Sequence, residues 1–166
     1  DCSYYNYGAS SFNEDIGAWD TSGVTTMKYM FREASAFNRD IGGWAVEKVA
    51  DMYLMFHSAS AFDQDLGWCV DDEVSLSYAF YGTPCESTSC GVEQGQFITG
   101  SGSCESTPAP TPYFDGVHHT DVSIREAVTA WLADATAAEA AYGHISTWEA
   151  GGVTDMEELF AYTYFN

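Results

Sequence analysis

The chain has 166 residues, 46% hydrophobic and 16% aromatic, enough for one ordinary domain to bury a core without a membrane. With 25 acidic against 5 basic residues and a net charge of −20, it repels phosphate backbones and anionic lipid, so neither nucleic acid nor a membrane surface is an expected partner. No apolar run reaches the roughly 18 residues that a spanning helix needs, and no basic, apolar leader begins at Asp1, so any secretion signal is expected to be removed or to lie outside these residues.

Residues 1–8 are a polar and aromatic lead-in with Tyr4, Tyr5 and Tyr7. A phrase then recurs at a spacing of 25 residues: Phe12-Asn13-Glu14-Asp15-Ile16-Gly17-x-Trp19 returns from Phe37 to Trp44, and again from Phe62 to Trp68 with one residue deleted. Each copy precedes a second phrase, Val24-x-x-Met27-x-x-Met30-Phe31 and Val49-x-x-Met52-x-x-Met55-Phe56, which becomes Val74-x-Leu76-x-x-x-Phe80 in the third copy. A fixed period of this length marks a solenoid, whose repeats are too small to bury an apolar face alone and stack on their neighbours. Ile16 and Trp19, before the Asp20-Thr21-Ser22-Gly23 turn, suit a brief strand, and Val24, Met27, Met30, Phe31 and Ala34 share one face of a short helix. The expected fold class is therefore an α/β repeat solenoid with a short parallel strand and a short helix per coil, and residues 1–82 form its three-coil domain.

The Met stripe recurs at core spacing and reads as packing rather than as a metal or peptide surface. Asn13, Asn38 and Asp63, and likewise Asp15, Asp40 and Asp65, recur in register and are expected to satisfy backbone groups of adjacent turns. The sharper alternative is a calcium ladder on Asp15, Asp40 and Asp65. No other cofactor is expected.

Residues 83–112 are rich in Gly, Ser and Thr and read as a disulfide-stapled linker. Cys69, Cys85, Cys90 and Cys104 fall within or beside it, as in irregular segments of an oxidising compartment, and Cys2 remains for an intermolecular bond. Thr107, Pro108, Pro110, Thr111 and Pro112 form a polyproline-like stretch suited to O-linked or hydroxyproline-linked sugar, whereas no Asn-x-Ser/Thr sequon exists for N-linked glycan.

Residues 113–166 read as a helical cap followed by one more coil. Thr120-Asp121 offers an N-cap, Ser123-x-x-Glu126 resembles a capping box, and Ile124, Val128, Trp131 and Leu132 form an apolar stripe. Asp134 to Tyr142 is a second helical piece closed by Gly143. Ile145 to Phe160 then matches Ile16 to Phe31 almost position for position.

A cap that runs into a coil at one end, and coils without a leading cap at the other, complement each other. Asn166 of one copy would lead naturally to Asp1 of the next. Either the coil at 145–160 folds back within one molecule, or it docks on the first coil of a neighbour and generates an open fibre. The second arrangement is the favoured expectation. Its interface would be Phe12, Ile16, Trp19, Met27 and Phe31 on one side and Ile145, Trp148, Val153, Met156 and Phe160 on the other.

The phrase F-N-x-D-I-x-x-W-D-x-S-x-V-T-x-M-x-x-M-F, best carried by residues 12–31 and well by 37–56, resembles the bacterial surface protein repeat of BspA-like proteins and mycoplasma surface lipoproteins, also found in secreted algal and protist proteins. The third copy, with Trp68-Cys69, and the second, with Ala45-Val46 in place of the usual Asp-Thr, depart from it. The resemblance implies an extracellular or cell-surface, leucine-rich-repeat-like solenoid without known chemistry. His57, His118, His119 and His144 are the only histidines, no catalytic motif is present, and no enzyme is expected. The expected function is that of an extracellular structural protein whose partner is itself, assembled head to tail into a filament or surface appendage. The alternative is an adhesion module that grips glycan or a protein ligand.

Overall fold

Left-handed residues recur in each repeat and set the course of the backbone. The computed structural model describes residues 9–95 and 117–161, and in it Tyr29, Leu54, Tyr78 and Glu158, which occupy the same place in successive copies, have φ of 57°, 56°, 56° and 58°. A right-handed helix does not pass through that conformation. The Val-Met-Phe stretch is accordingly a run of tight turns, which corrects the expected helix. Alternate amides divide their work: Met30, Arg32 and Ala34 donate to Met27, Tyr29 and Phe31 three residues back, while Met27, Tyr29, Phe31 and Glu33 donate to the carbonyls of Asp51, Tyr53, Met55 and His57 in the next coil. Turns spaced by three bury the same side chains as a helix would, and Met27, Met30, Phe31 and Ala34 have no exposed surface. Each such Met or Phe contributes about 1.5–3 kcal/mol.

The expected strand is also displaced. Coil-to-coil parallel bridging falls at Thr26, Asp51, Ser75 and Asp155 rather than at Ile16–Trp19. In the earlier stretch the carboxylates of Asp15, Asp40 and Asp65 accept the amides of Gly17, Gly42 and Gly67 two residues on, which turns the chain. A Cβ on Gly17 would lie 2.6 Å from the Asp40 carbonyl oxygen, so this turn admits no side chain without moving its neighbour.

Two ladders of rings run through the stack. Trp19, Trp44 and Trp68 are spaced 6.4 and 6.5 Å, and Phe31, Phe56 and Phe80 are spaced 5.2 and 5.8 Å, all stacked. Each indole N–H is satisfied by the preceding coil: Trp44 donates to the Ile16 carbonyl and Trp68 to that of Gly42. The one-residue slip from Ile16 to Gly42 follows from the shorter third repeat. Outside, Asn13 accepts the Asn38 amide and Asn38 accepts the Asp63 amide, so this polar ladder does bond adjacent turns. Where Ala45 replaces Asp the turn lacks the bond that Asp20 makes to the Ser22 amide, and the Thr21 hydroxyl donates instead to the Ala45 carbonyl.

The stack does not stop at residue 82. Strand β1 (Cys69–Val70) pairs in parallel with β2 (Glu93–Gln94), and the Leu66 amide donates to the Cys90 carbonyl, so residues 85–95 lay a further rung on the first half of the third coil. Their composition reads as linker, yet Cys85, Cys90 and Val92 are buried. At the other end, β3 (His118–Thr120) leads into α1 (Asp121–Ala133) and α2 (Ala135–Tyr142), and β4 (Glu149–Gly152) returns parallel to β3. The capping box on α1 lies one turn earlier than expected: Thr120 is the N-cap and Ser123, not Glu126, closes the box. Asp134 caps α2 through the Ala137 amide, and Gly143 ends it at φ 75°.

Candidate assembly interface

The coil at 145–161 lies on the first coil, and the joint between them repeats the joints between consecutive coils. Phe160 stacks on Phe12 at 4.2 Å, as Phe31 does on Phe37 and Phe56 on Phe62, each at 4.1 Å. Trp148 stacks on Trp19 at 6.2 Å, and the Trp19 indole donates to the Ile145 carbonyl. The amides of Met156, Glu158 and Phe160 donate to the carbonyls of Thr26, Lys28 and Met30, the same ladder that joins the first coil to the second. The Ala9 amide donates to the Phe160 carbonyl, as Ala34 does to Phe31 and Ala59 to Phe56. The stacking order is thus end coil, first, second, third, although the end coil comes last in sequence.

All ten side chains expected at the interface are buried at or near this joint: Phe12, Ile16, Trp19, Met27, Phe31, Ile145, Trp148, Val153, Met156 and Phe160. In the single chain described, both sides come from the same molecule. Residues 96–116 connect the halves, and a tethered partner reaches its site at an effective concentration on the order of millimolar. Across the joint Lys28 Nζ lies 3.1 Å from Glu157 Oε1, and the hydrogen bond to Glu157 raises the Lys28 pKa above its ordinary value.

The outer edge of the end coil offers the amides of Thr154 and Asp155 and the carbonyls of Asp155 and Glu157. Two side chains one turn apart on α1 take the place of a further coil. Asp121 accepts the amides of Thr154 and Asp155 and the Thr154 hydroxyl. Arg125 donates Nη1 to the Glu157 carbonyl and Nη2 to the Asp155 carbonyl, and pairs with the Asp155 carboxylate at 3.0 Å. This is how α1 closes the array without adding a rung. At the opposite end the Glu86 carboxylate accepts the Gly82 amide, while the amides of Leu76, Tyr78 and Phe80 have no partner among the described residues.

The Thr154 amide, first, and the other donors hold the Asp121 pKa below its ordinary value. A carboxylate with a depressed folded-state pKa adds stability above its unfolded pKa and loses it as pH falls through the folded one. The α1 cap is therefore expected to loosen in acid below about pH 4, and Asp121→Asn is expected to remove that acid step from a pH series of thermal melts. Arg125→Ala, which strips two partly exposed carbonyls of charged donors, is expected to cost about 1–2 kcal/mol by denaturant unfolding.

The remaining expected sites scatter. Asp15, Asp40 and Asp65 each serve their own glycine turn, and no group of three or more His, Cys, Asp or Glu able to hold a metal ion occurs among the described residues. Cys85 is bonded to Cys90, inside the added rung, and Cys69 is disulfide-bonded to a partner outside the described residues. Cys2, Cys104, the Tyr4 to Tyr7 cluster and the sugar candidates Thr107, Pro108, Pro110, Thr111 and Pro112 also lie outside them. His118 and His119 point to opposite sides of β3. His118 is exposed, but His119 is buried. The Asp121 and Arg125 cap went unread. Its signal was an opposite-charge pair four residues apart on a helix that precedes a coil.

No helix among the described residues is long and apolar enough to cross a membrane. The family model described as "Mycoplasma protein of unknown function, DUF285" matches residues 1–90, more than half of the chain. This is a repeat family associated with surface proteins. Neither the curated proteins nor the solved structures contain a match.

Proposed function

We propose that this chain, which belongs to the DUF285 family, is an extracellular structural module of the repeat-solenoid type that assembles head to tail by exchanging its end coil between neighbouring molecules. One observation carries the reading: the joint between residues 145–161 and the first coil reproduces the joint between covalently consecutive coils, ring for ring and amide for amide. Such a contact has the same geometry whether one chain or two supply it. Supplied by two, it is heterologous and does not close, so it generates a filament. The family's association with surface proteins supports the location, and the high negative charge keeps the unassembled module soluble.

Exchange competes with the tether, so it is expected at protein concentrations approaching the millimolar range. The double variant Lys28→Cys with Glu157→Cys places a thiol on each side of the joint. Oxidised when dilute, it is expected to close within one chain. Oxidised after concentrated incubation, it is expected to give a ladder of covalent oligomers on a non-reducing gel that the parent chain does not give. Cross-linked monomers alone at every concentration would rule exchange out.

A second reading, adhesion, rests on Tyr78 and Tyr81, which are 64% and 53% exposed at the third coil and meet edge to face at 6.2 Å. Exposed aromatic rings of this kind suit sugar stacking. Retention on a glycan array that is lost in Tyr78→Ala with Tyr81→Ala would favour it.

A further inference from the structure

His119 is the one buried imidazole among the described residues. The β3–β4 register is irregular between His118 and Thr120, and Gly152 lets β4 come close enough that a Cβ there would lie 2.8 Å from the His119 carbonyl oxygen. The irregularity turns the ring inward, where it is 2% exposed and rests on Trp148 at 4.9 Å and near Tyr142 at 6.4 Å. Trp148 also stacks on Trp19 of the first coil. His119 thus packs on the ring that joins the C-terminal unit, residues 117–161, to the rest of the stack.

The polar atoms of the ring are poorly provided for. Nδ1 lies 3.3 Å from the Ser123 hydroxyl, which is already committed to the α1 capping box, and Nε2 is buried with no partner among the described residues. The tautomer with the proton on Nδ1 leaves only a bare lone pair at Nε2, the smaller loss. A second proton would create a buried N–H with nothing to accept it, and a charge with nothing to offset it. The charged groups of the surrounding elements are engaged elsewhere or lie across other residues. On α1, Asp121 serves Thr154 and Asp155, and Arg125 serves the end coil; on β4, the backbone of Glu149 is in register with His118 rather than His119; on α2, the Tyr142 ring approaches. Among the described residues no ion pair reaches His119.

We propose that His119 is an acid-triggered release for the C-terminal unit: its protonation frees residues 117–161 from the first coil while the continuous coils 9–95 stay stacked. This deepens the exchange reading and rests on it for its consequence, because release bares Trp19 and Phe12 to the end coil of another molecule. Burial, opposed only by the Ser123 contact, holds the His119 pKa below its ordinary value. The associated stability is therefore complete above about pH 6.5 and is lost as pH falls through the folded-state value.

The test is amide hydrogen exchange on the whole chain between pH 7.5 and 4.5, corrected for intrinsic rates, with His119→Phe as the comparison. Phenylalanine fills the place against Trp148 and Tyr142 but binds no proton. In the parent chain, protection in 124–131 and 148–160 is expected to fall by up to about tenfold per pH unit between about pH 6.5 and the folded-state pKa and to level off below it, while protection in 27–33 and 52–58 persists. In the His119→Phe variant no such loss is expected in that range. An equal acid loss in the variant, or unchanged protection of 148–160 in the parent at pH 4.5, overturns the proposal. Should His119→Phe fail to fold at pH 7.5, His119→Gln serves in its place, with the same two outcomes. Incubating the concentrated double-cysteine variant under reductant at each pH, then removing the reductant and oxidising at pH 7.5, where the thiols react, separates the two readings. Release without covalent oligomers sinks exchange alone, and oligomers indifferent to pH sink the His119 role alone.

Discussion

Replacing Phe31 by alanine is expected to destabilise the array by about 3–5 kcal/mol, the largest effect of any single truncation in the coils. Phe31 has no exposed surface and touches aromatic rings on every side: Phe37 at 4.1 Å, Phe56 at 5.2 Å, Phe160 at 5.3 Å and Trp44 at 6.2 Å. Two of these rings belong to the second coil, a third to its far end and one to the end coil, so the cavity would open against two joints at once. Stacked turns held by cross-coil amides cannot collapse into it, because each backbone is fixed by bonds to both neighbours. Equilibrium denaturation by far-UV and near-UV circular dichroism measures the loss. A cost below about 1 kcal/mol would mean that the ring ladder is not the source of cohesion.

Trp148→Ala is the second large effect, and its character differs. Trp148 is 1% exposed and is the hub of the C-terminal unit, with His119 at 4.9 Å, Trp131 at 5.9 Å edge to face, Tyr142 at 6.2 Å and Trp19 at 6.2 Å. Truncation again costs about 3–5 kcal/mol, but the loss is local. Residues 117–161 are expected to detach while the coils from 9 to 95 keep their ladder, because their joints do not involve this ring. Hydrogen exchange distinguishes the cases, with protection vanishing in α1 and the end coil and surviving at Met52, Leu54 and Phe56. Uniform loss across the chain would show instead that the stack unfolds as one cooperative unit.

These two substitutions separate what holds coils together from what holds the end coil in place, and the same division runs through the chemistry of the edges. Every internal joint carries a ladder of main-chain bonds and stacked rings. The outer face of the end coil is closed by Asp121 and Arg125, two half-buried side chains whose hydrogen bonds respond to pH and substitution far more readily than a ladder of amides does. The module is therefore firm within its coils and adjustable where the C-terminal unit meets them.

Periodicity made much of this legible. Recurrence of Phe, Trp and Met at a fixed spacing identifies the buried residues and the stacking, because only side chains that meet their own copies in the next coil must keep register. It also located the fourth coil and the surfaces that meet. It could not distinguish a short helix from a run of turns, since both bury positions three and four apart. The difference lies in left-handed backbone at Tyr29, Leu54, Tyr78 and Glu158, residue types that give no local warning of it. Nor could composition show that residues 83–95 extend the stack, because the rung they add is held by main-chain bonds to Leu66, Trp68 and Val70 that any sequence can make. Whether the end coil covers its own first coil or a neighbour's was beyond any pattern in the residues, for the contacts are identical and only the path and length of the connecting chain choose between them. The same holds for His119, whose neighbour His118 is exposed: burial there follows from the irregular pairing of β3 with β4 and from Trp148 closing over the ring, a meeting of segments that only the folded chain brings about.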